Sequence, residues 1–213
     1  MRGRVLLSAA YFPPAEYFSL IACSDDVIIE KHENYLKQTY RNRCMILGPN
    51  GPLQLTVPVL RGSFHKTPLK ELRIDNSRRW RELHLRGIAS AYAAAPFYEY
   101  YYDIIESIIS DKYEFLLDLN ERALREMCEA AGLEVRISYT DQFIREGTVE
   151  EDYRYSITPK RAVTVPGYKS LPYTQVFSER YGFTDRMSII DMLLNNGPGT
   201  RALLRGSLEN GQQ

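Results

Sequence analysis

No charge surplus, no cysteine framework and no long apolar run occur in this 213-residue sequence, and each absence removes a class of function. Twenty-seven basic residues balance 27 acidic ones. A partner held mainly through its phosphate backbone draws on a basic surplus on one face, so nucleic acid is not expected. The three cysteines, Cys23, Cys44 and Cys128, are odd in number and widely spaced, without a CxxC pair or a Cys/His quartet. Neither a zinc site nor a disulfide framework is implied, and a reducing compartment fits that usage. No stretch approaches the ~20 apolar residues that span a bilayer. The apolar run Val5 to Ala10 breaks at Tyr11-Phe12-Pro13-Pro14, too soon for a signal peptide. The expectation is a cytoplasmic protein without a transmembrane segment.

Common catalytic signatures are also missing. The sequence has no Gly-x-Ser-x-Gly elbow, no Walker loop, no dinucleotide-binding glycine triplet after the first strand, no His-Glu-x-x-His and no EF-hand loop. Elbow-type serine hydrolases, P-loop kinases and nicotinamide dehydrogenases are thereby disfavoured. A Cys–His nucleophile pair stays open, because its members meet only in space. No metal and no cofactor is expected, and the oligomeric state is not legible.

What is present is ordinary globular material: 44% hydrophobic and 25% charged residues, in a length suited to one domain. Val5 to Ala10 reads as a buried strand. Pro13 and Pro14 open a short helix through Tyr17, Leu20, Ile21 and Ala22, since proline is at home in a first turn. Val27-Ile28-Ile29 is a second strand, and strand–turn–helix–strand is the opening of a fold with a parallel pair. Cys44 and Ile46, the turn Gly48-Pro49-Asn50-Gly51, and the alternation Leu53, Leu55, Val57, Val59 predict a hairpin, whose second strand Pro58 confines to an edge or ends.

Glu71 to Ile74 predicts another strand, with Asn76 or Ser77 capping the helix after it. Trp80, His84, Ile88 and Tyr92, four residues apart, mark one face of that helix, which Pro96 ends. A second helix carries Tyr101, Ile104, Ile105 and Ile108. A third, capped by Asn120, carries Leu124, Met127, Cys128 and Ala131 and stops at Gly132. Leu133, Val135 and Ile137 alternate as a strand. The fold class is therefore α/β: one domain over 1–213, a mixed sheet, an antiparallel hairpin and flanking helices. Residues 187–205 form a C-terminal helical segment closed at Gly197-Pro198. Residues 140–186 are rich in tyrosine and phenylalanine, unlike a flexible linker, and form either a lid over a site or a plug in the core.

Two polar constellations lack a packing reason. Tyr35 to Arg43 gathers cations, amides and aromatics before the hairpin, with Lys37, Gln38, Asn42 and Arg43 as candidate binding residues. Planar guanidinium forks and amides beside rings suit sugar or phosphate recognition; a solvated connection is the plain alternative. Ser63-Phe64-His65-Lys66 carries the same two readings. Trp80 and His84 share a helix face, where a histidine is either a structural residue or a base. A helix N-terminus at Pro13-Pro14, at a sheet's carboxyl edge, is where α/β proteins commonly receive an anion.

These residues, in this order, also resemble a known family. Tyr11-Phe12-Pro13-Pro14 with Tyr17-Phe18, Tyr35-x-Lys37-Gln38-x-Tyr40-Arg41-Asn42-Arg43, Asn50-Gly51 with Leu55-Thr56-Val57-Pro58-Val59, Trp80 with His84, Ala95-Pro96-Phe97 and Ser188-Ile189-Ile190-Asp191 with Gly197-Pro198 are similar to the WbqC-like family. The likeness runs from about Val5 to Gly199. The chain departs from relatives that carry Gln-Pro after the first strand and paired aspartates after the second; here those places hold Tyr11 to Pro14 and Glu30-Lys31-His32-Glu33-Asn34. The resemblance implies a role in O-antigen or related surface-polysaccharide synthesis, with glycine or acyl transfer to a sugar as the suggested activity.

The leading expectation is an aminoacyl- or acyl-type transferase acting on a sugar intermediate. Such transfer needs a base for the acceptor hydroxyl and donors for the developing oxyanion. His84 is the first candidate base and His65 the second, with Tyr11, Tyr17, Lys37, Gln38, Asn42, Arg43 and Trp80 binding a sugar or nucleotide sugar. The rival is a non-catalytic carbohydrate-binding or scaffolding protein of the same pathway; nucleotidyl transfer is a third reading, without the His-x-x-His it would use. The surroundings of His84 discriminate: a buried histidine hydrogen-bonded away from any cleft favours binding.

Overall fold

A computed structural model describes residues 2–60, 67–160 and 165–209. It is organised on a parallel sheet. β1 (Arg2–Ser8) and β2 (Ser24–Glu30) pair in parallel across α1 (Ala15–Ala22), and β5 (Arg136–Tyr139) adds to the free edge of β2. The outer edge of β1 is not left bare: Leu6 N–H donates to Glu151 O at 2.9 Å and Leu6 O accepts from Tyr153 N at 2.9 Å. Both faces of the sheet are covered, which is why Val5-Leu6-Leu7 and Val27-Ile28-Ile29 run apolar without alternating. Every residue of α1 is buried, packed between β2 and α7 (Thr200–Glu209).

β3 (Arg43–Gly48) and β4 (Gly51–Thr56) form the predicted hairpin around Pro49-Asn50. α2 (Trp80–Tyr92) lies against it, and buries Trp80, His84, Ile88 and Tyr92 as the four-residue spacing requires. Gly87 faces the hairpin, where a Cβ would meet Leu55 Cδ2 at 3.4 Å and Leu53 Cδ2 at 3.5 Å, ordinary packing distances. α3 (Tyr98–Ser110) packs on α2, on α4 (Leu116–Ala130) and on α6 (Ile189–Asn196). A short α5 (Ser178–Tyr181) stands in the stretch before α6. Ser188 caps α6, its hydroxyl accepting from Ile190 N at 3.3 Å. Among the described residues no helix is long and apolar enough to cross a membrane.

One buried carboxylate ties several of these pieces. Asp191, fully buried, accepts from Tyr92 Oη at 2.8 Å, Tyr173 Oη at 2.8 Å and Gln175 Nε2 at 2.9 Å. Tyr92 Oη in turn accepts Leu47 N at 3.1 Å. The hairpin, α2, α6 and the 173–175 stretch thus meet at one side chain. Burial raises the carboxyl's pKa, and the hydrogen bonds from Gln175, first, and then Tyr92 and Tyr173 pull against that rise.

Local chemistry differs from the sequence reading at three points. Asn120 does not cap α4, which begins at Leu116 after Phe115; it lies within the helix, and its amide donates to Arg41 O at 2.8 Å. A buried tertiary partner outbid the local cap. Neither Asn76 nor Ser77 caps α2, which follows Arg79 without a side-chain cap. Asn76 Nδ2 bonds Tyr113 O, and Ser77 closes a turn on Asp75. In place of a full strand over Glu71–Ile74, Leu69–Glu71 is a single 3₁₀ turn, followed by isolated bridges of Arg73 to Phe115 and Ile74 to Val59.

Gly197 ends α6 with φ +50°, and a Cβ there would sit 2.5 Å from the Phe97 ring. Left-handed strain and a ring that must move add up. Gly197→Ala should destabilise the fold by about 2–4 kcal/mol, read as a fall in the urea midpoint with an unchanged slope; a midpoint equal to wild type would show that α6 ends without needing glycine.

Candidate functional site

Where the hairpin, the 35–38 stretch, the 67–79 turn and the start of α2 converge, they enclose a cleft of about 1090 Å³. Four cations, Lys37, Arg43, Arg78 and Arg79, line it with the single carboxylate of Asp75 among its described lining residues. Asp75 is already engaged: it accepts from the Ser77 hydroxyl at 2.5 Å and from Arg78 Nε at 3.3 Å. The Ser77 hydrogen bond, first, and Arg78 hold its carboxyl below the usual range. Arg79 reaches Glu82 Oε2 at 2.6 Å on the exposed helix start. Arg43 Nη1 donates to Gln54 Oε1 at 3.0 Å, while its buried Nε has no hydrogen-bond partner among the described residues. Gln38 enters the cleft from a left-handed backbone at φ +60°, a conformation that costs a non-glycine residue and is often kept where a site requires it.

Four predicted binding residues, Lys37, Gln38, Arg43 and Trp80, therefore line one cleft. Trp80 forms part of its floor; it is only 3% exposed, and its buried indole N–H has no hydrogen-bond partner among the described residues. The other predicted residues lie beneath or away from this surface. His84 is 3% exposed, edge-on to the Trp80 ring with centroids 5.1 Å apart, and its Nδ1 shares a 2.9 Å hydrogen bond with Tyr11 Oη. Burial lowers its pKa from 6.5 to about 4, against a smaller opposite pull from a hydrogen bond to the Thr56 backbone. It is a neutral, already partnered imidazole under the floor. Tyr11 is fully buried. Asn42 donates to Val57 O at 2.8 Å and Tyr17 to Ser8 O at 2.8 Å, both inside the core. His65 lies outside the described residues.

Sequence reasoning passed over Arg78, Arg79, Asp75 and Leu83. The Arg78-Arg79-Trp80 run was the available signal, since two guanidiniums precede the single tryptophan.

The carboxyl edge of the parallel sheet, where an anion was expected, is filled by the chain itself. Glu33 holds Arg41 through both carboxylate oxygens, and Arg41 Nη2 also reaches Ser8 Oγ at 2.8 Å. Glu30 accepts from Thr140 Oγ1 at 2.7 Å, His32 N at 2.8 Å, Ile144 N at 2.9 Å and Arg154 Nη1 at 3.2 Å. The space left between Ser8, Tyr40, Arg41 and Arg154 is about 10 Å³, enough for one water. Glu16 occupies the first turn of α1, 1% exposed, with Arg186 Nε as its ion-pair partner at 3.5 Å. Burial pushes its carboxyl up to about 7. Two of the three thiols are poor nucleophiles: burial pushes Cys128 up to about 12 and Cys44 further. Among the described residues no group of three or more His, Cys, Asp or Glu could hold a metal ion.

Comparison with known proteins agrees with the sequence resemblance. The model of the WbqC-like protein family matches residues 9–164, a span that contains the whole lining of the cleft. The chain is similar to the uncharacterized protein Rv1507c of Mycobacterium tuberculosis, 28% identical over 229 aligned positions that cover 96% of this chain and 98% of the relative. No solved structure matches.

The depressed pKa of His84 gives a pH signature. Below about 6.5 the unfolded chain takes up a proton that the folded chain refuses until about 4, so stability is lost as pH falls through that window. The loss attributable to His84 is about 3 kcal/mol at the low end. Glu16 acts oppositely between 4.5 and 7, so wild type should be compared with His84→Gln, which keeps Glu16. Urea titrations at pH 7 and pH 4.5 should show the variant losing less stability on acidification; equal losses would mean that His84 is protonated in the folded state.

Proposed function

Because the chain belongs to the WbqC-like protein family, we propose that its cleft binds a phosphate-bearing sugar, a sugar phosphate or nucleotide sugar of surface-polysaccharide synthesis, and that binding is the activity this site is built for. The observation that carries this reading is the cleft's composition: guanidinium forks and a lysine outnumber carboxylates, beside an amide and a tryptophan. Arginine forks match phosphate oxygens two at a time.

Glycine or acyl transfer would need more. A base must reach the acceptor hydroxyl, and His84 is neutral, partnered and below the floor. Asp75 stands in the cleft, but its hydrogen bonds lower its basicity. These facts favour binding over transfer. Incubation with glycyl or acyl donors and sugar acceptors, followed by mass spectrometry, tests transfer directly; a transferred group would overturn the non-catalytic reading.

Trp80 is the one tryptophan of the chain, so its fluorescence reports on the cleft alone. Titration with a nucleotide sugar, a sugar 1-phosphate and the matching free sugar should show saturable change with the first two and little with the third. Arg43→Lys should weaken binding by about tenfold or more, the worth of a charged hydrogen bond lost with the fork, at an unchanged urea midpoint. Equal affinity for phosphorylated and free sugars, or for variant and wild type, would count against the assignment.

A further inference from the structure

The cations are only half of the cleft. Pro58, Val59, Leu60 and Leu83 share its lining, and two of these are unusually bare: Leu83 is 63% exposed and Leu60 49%. Leu83 follows Arg79 by one helical turn, its N–H bonded to Arg79 O, so a cation and an apolar side chain stand as neighbours on the first turn of α2. A free sugar phosphate offers only the small C–H faces of its ring, too little to cover two exposed leucines. The cleft is also roomy: about 1090 Å³ lies just above the roughly 300–1,000 Å³ typical of ligand pockets. A site with a charged part and an uncovered apolar part is complementary to a ligand that has both.

We infer that the ligand is a phosphate amphiphile: a phosphate or glycosyl phosphate head with an apolar chain attached. This rests on the anion-binding reading above and adds the chain to it. Arg43 and Arg78 hold the phosphate oxygens, and the chain lies along Leu60 and Leu83, which lose their contact with water when it binds. Prenyl and acyl chains share this chemistry. Branched and straight chains of equal carbon number separate the two sources.

The test uses the full chain, Trp80 fluorescence and isothermal calorimetry, with inorganic phosphate, a sugar 1-phosphate, and butyl, hexyl and octyl phosphates below their micelle concentrations. Octyl glucoside serves as the uncharged control and phosphatidylglycerol vesicles as the surface control. Affinity should rise about two- to fourfold per methylene, the upper figure being that of a fully buried CH₂, until the wall is covered, with a negative heat-capacity change. Leu83→Gln, at an exposed position where folding is not at stake, should flatten that series. If the sugar 1-phosphate binds but added chain brings no gain, the amphiphile is wrong and the anion-binding reading survives. If none of the phosphates binds, both fail. Octyl glucoside binding as tightly as octyl phosphate would also overturn the inference, as would binding to vesicles without binding to monomeric esters.

Discussion

The carboxylates of Glu30 and Glu33, buried where β2 leaves the sheet, set the terms for much of this structure. An ionised carboxyl out of water is tolerable only with charge and hydrogen bonds around it. Arg41 answers Glu33 from eight residues away, but the cation on Glu30 is Arg154, 124 residues on. Arg154 also holds Asp152 through two nitrogens and Ile144 O through another, and Tyr155 and Phe143 lie against its guanidinium. The stretch around 144–157 is thereby bound over the carboxyl edge of β1 and β2. Removing Arg154 would leave Glu30 a buried charge without its counter-ion, the arrangement that costs most in such networks. Because this edge is closed by the chain's own side chains, the large open cleft is elsewhere, between the hairpin and α2.

That displacement explains which parts of the sequence were legible. Periodicity is a backbone-scale signal. The apolar runs of β1 and β2 and the spacing Trp80–His84–Ile88–Tyr92 each had one dominant cause, burial, and each is present; the hairpin also formed, although Leu53 of its alternating set stays exposed. Caps were less readable because their side chains had competitors. Asn120 and Asn76 both bond carbonyls far away in sequence, and no local pattern announces such partners. The site divided along the same line. Lys37, Gln38, Arg43 and Trp80 lie in the cleft, whereas Tyr11, Tyr17, Asn42 and His84 use their polar atoms to fasten the framework beneath. A polar residue in an apolar stretch signals a specific partner, and sequence does not say whether that partner is a ligand or the protein itself.

The framework residues are not remote from the cleft. Trp80 at the floor touches His84, and His84 bonds Tyr11, which directly follows the buried run leading out of β1. Tyr11 N in turn bonds Tyr40 O at 2.8 Å, joining the N-terminal turn to the polar stretch that supplies Lys37, Gln38 and Arg43. The indole is held from below by groups that have no freedom to repack, with the Arg81 guanidinium over its ring at 4.6 Å. A buried floor beneath arginine side chains that already have protein partners suits recognition by cations held in place around a fixed aromatic.

Ser188 has a consequence for how the chain is made. Its hydroxyl donates to Phe12 O at 2.7 Å, its N–H to Met45 O at 2.7 Å, and the next residue's N–H to Pro13 O at 3.0 Å. Phe12, fully buried, holds φ +39°, a backbone state that a bulky residue keeps only under such restraint. The two partners are 176 residues apart. During synthesis the turn after β1 leaves the ribosome long before α6 exists, and at roughly 5–20 residues per second about ten seconds or more pass before Ser188 is available. Until then β1 is held by its pairing with β2 and Tyr11 by Tyr40 and His84, but the Phe12–Pro13 turn lacks its bonds to Ser188 and Ile189. Fastening that turn is therefore a late closing step, and a chain cut before Ser188 would lack the bonds that restrain Phe12.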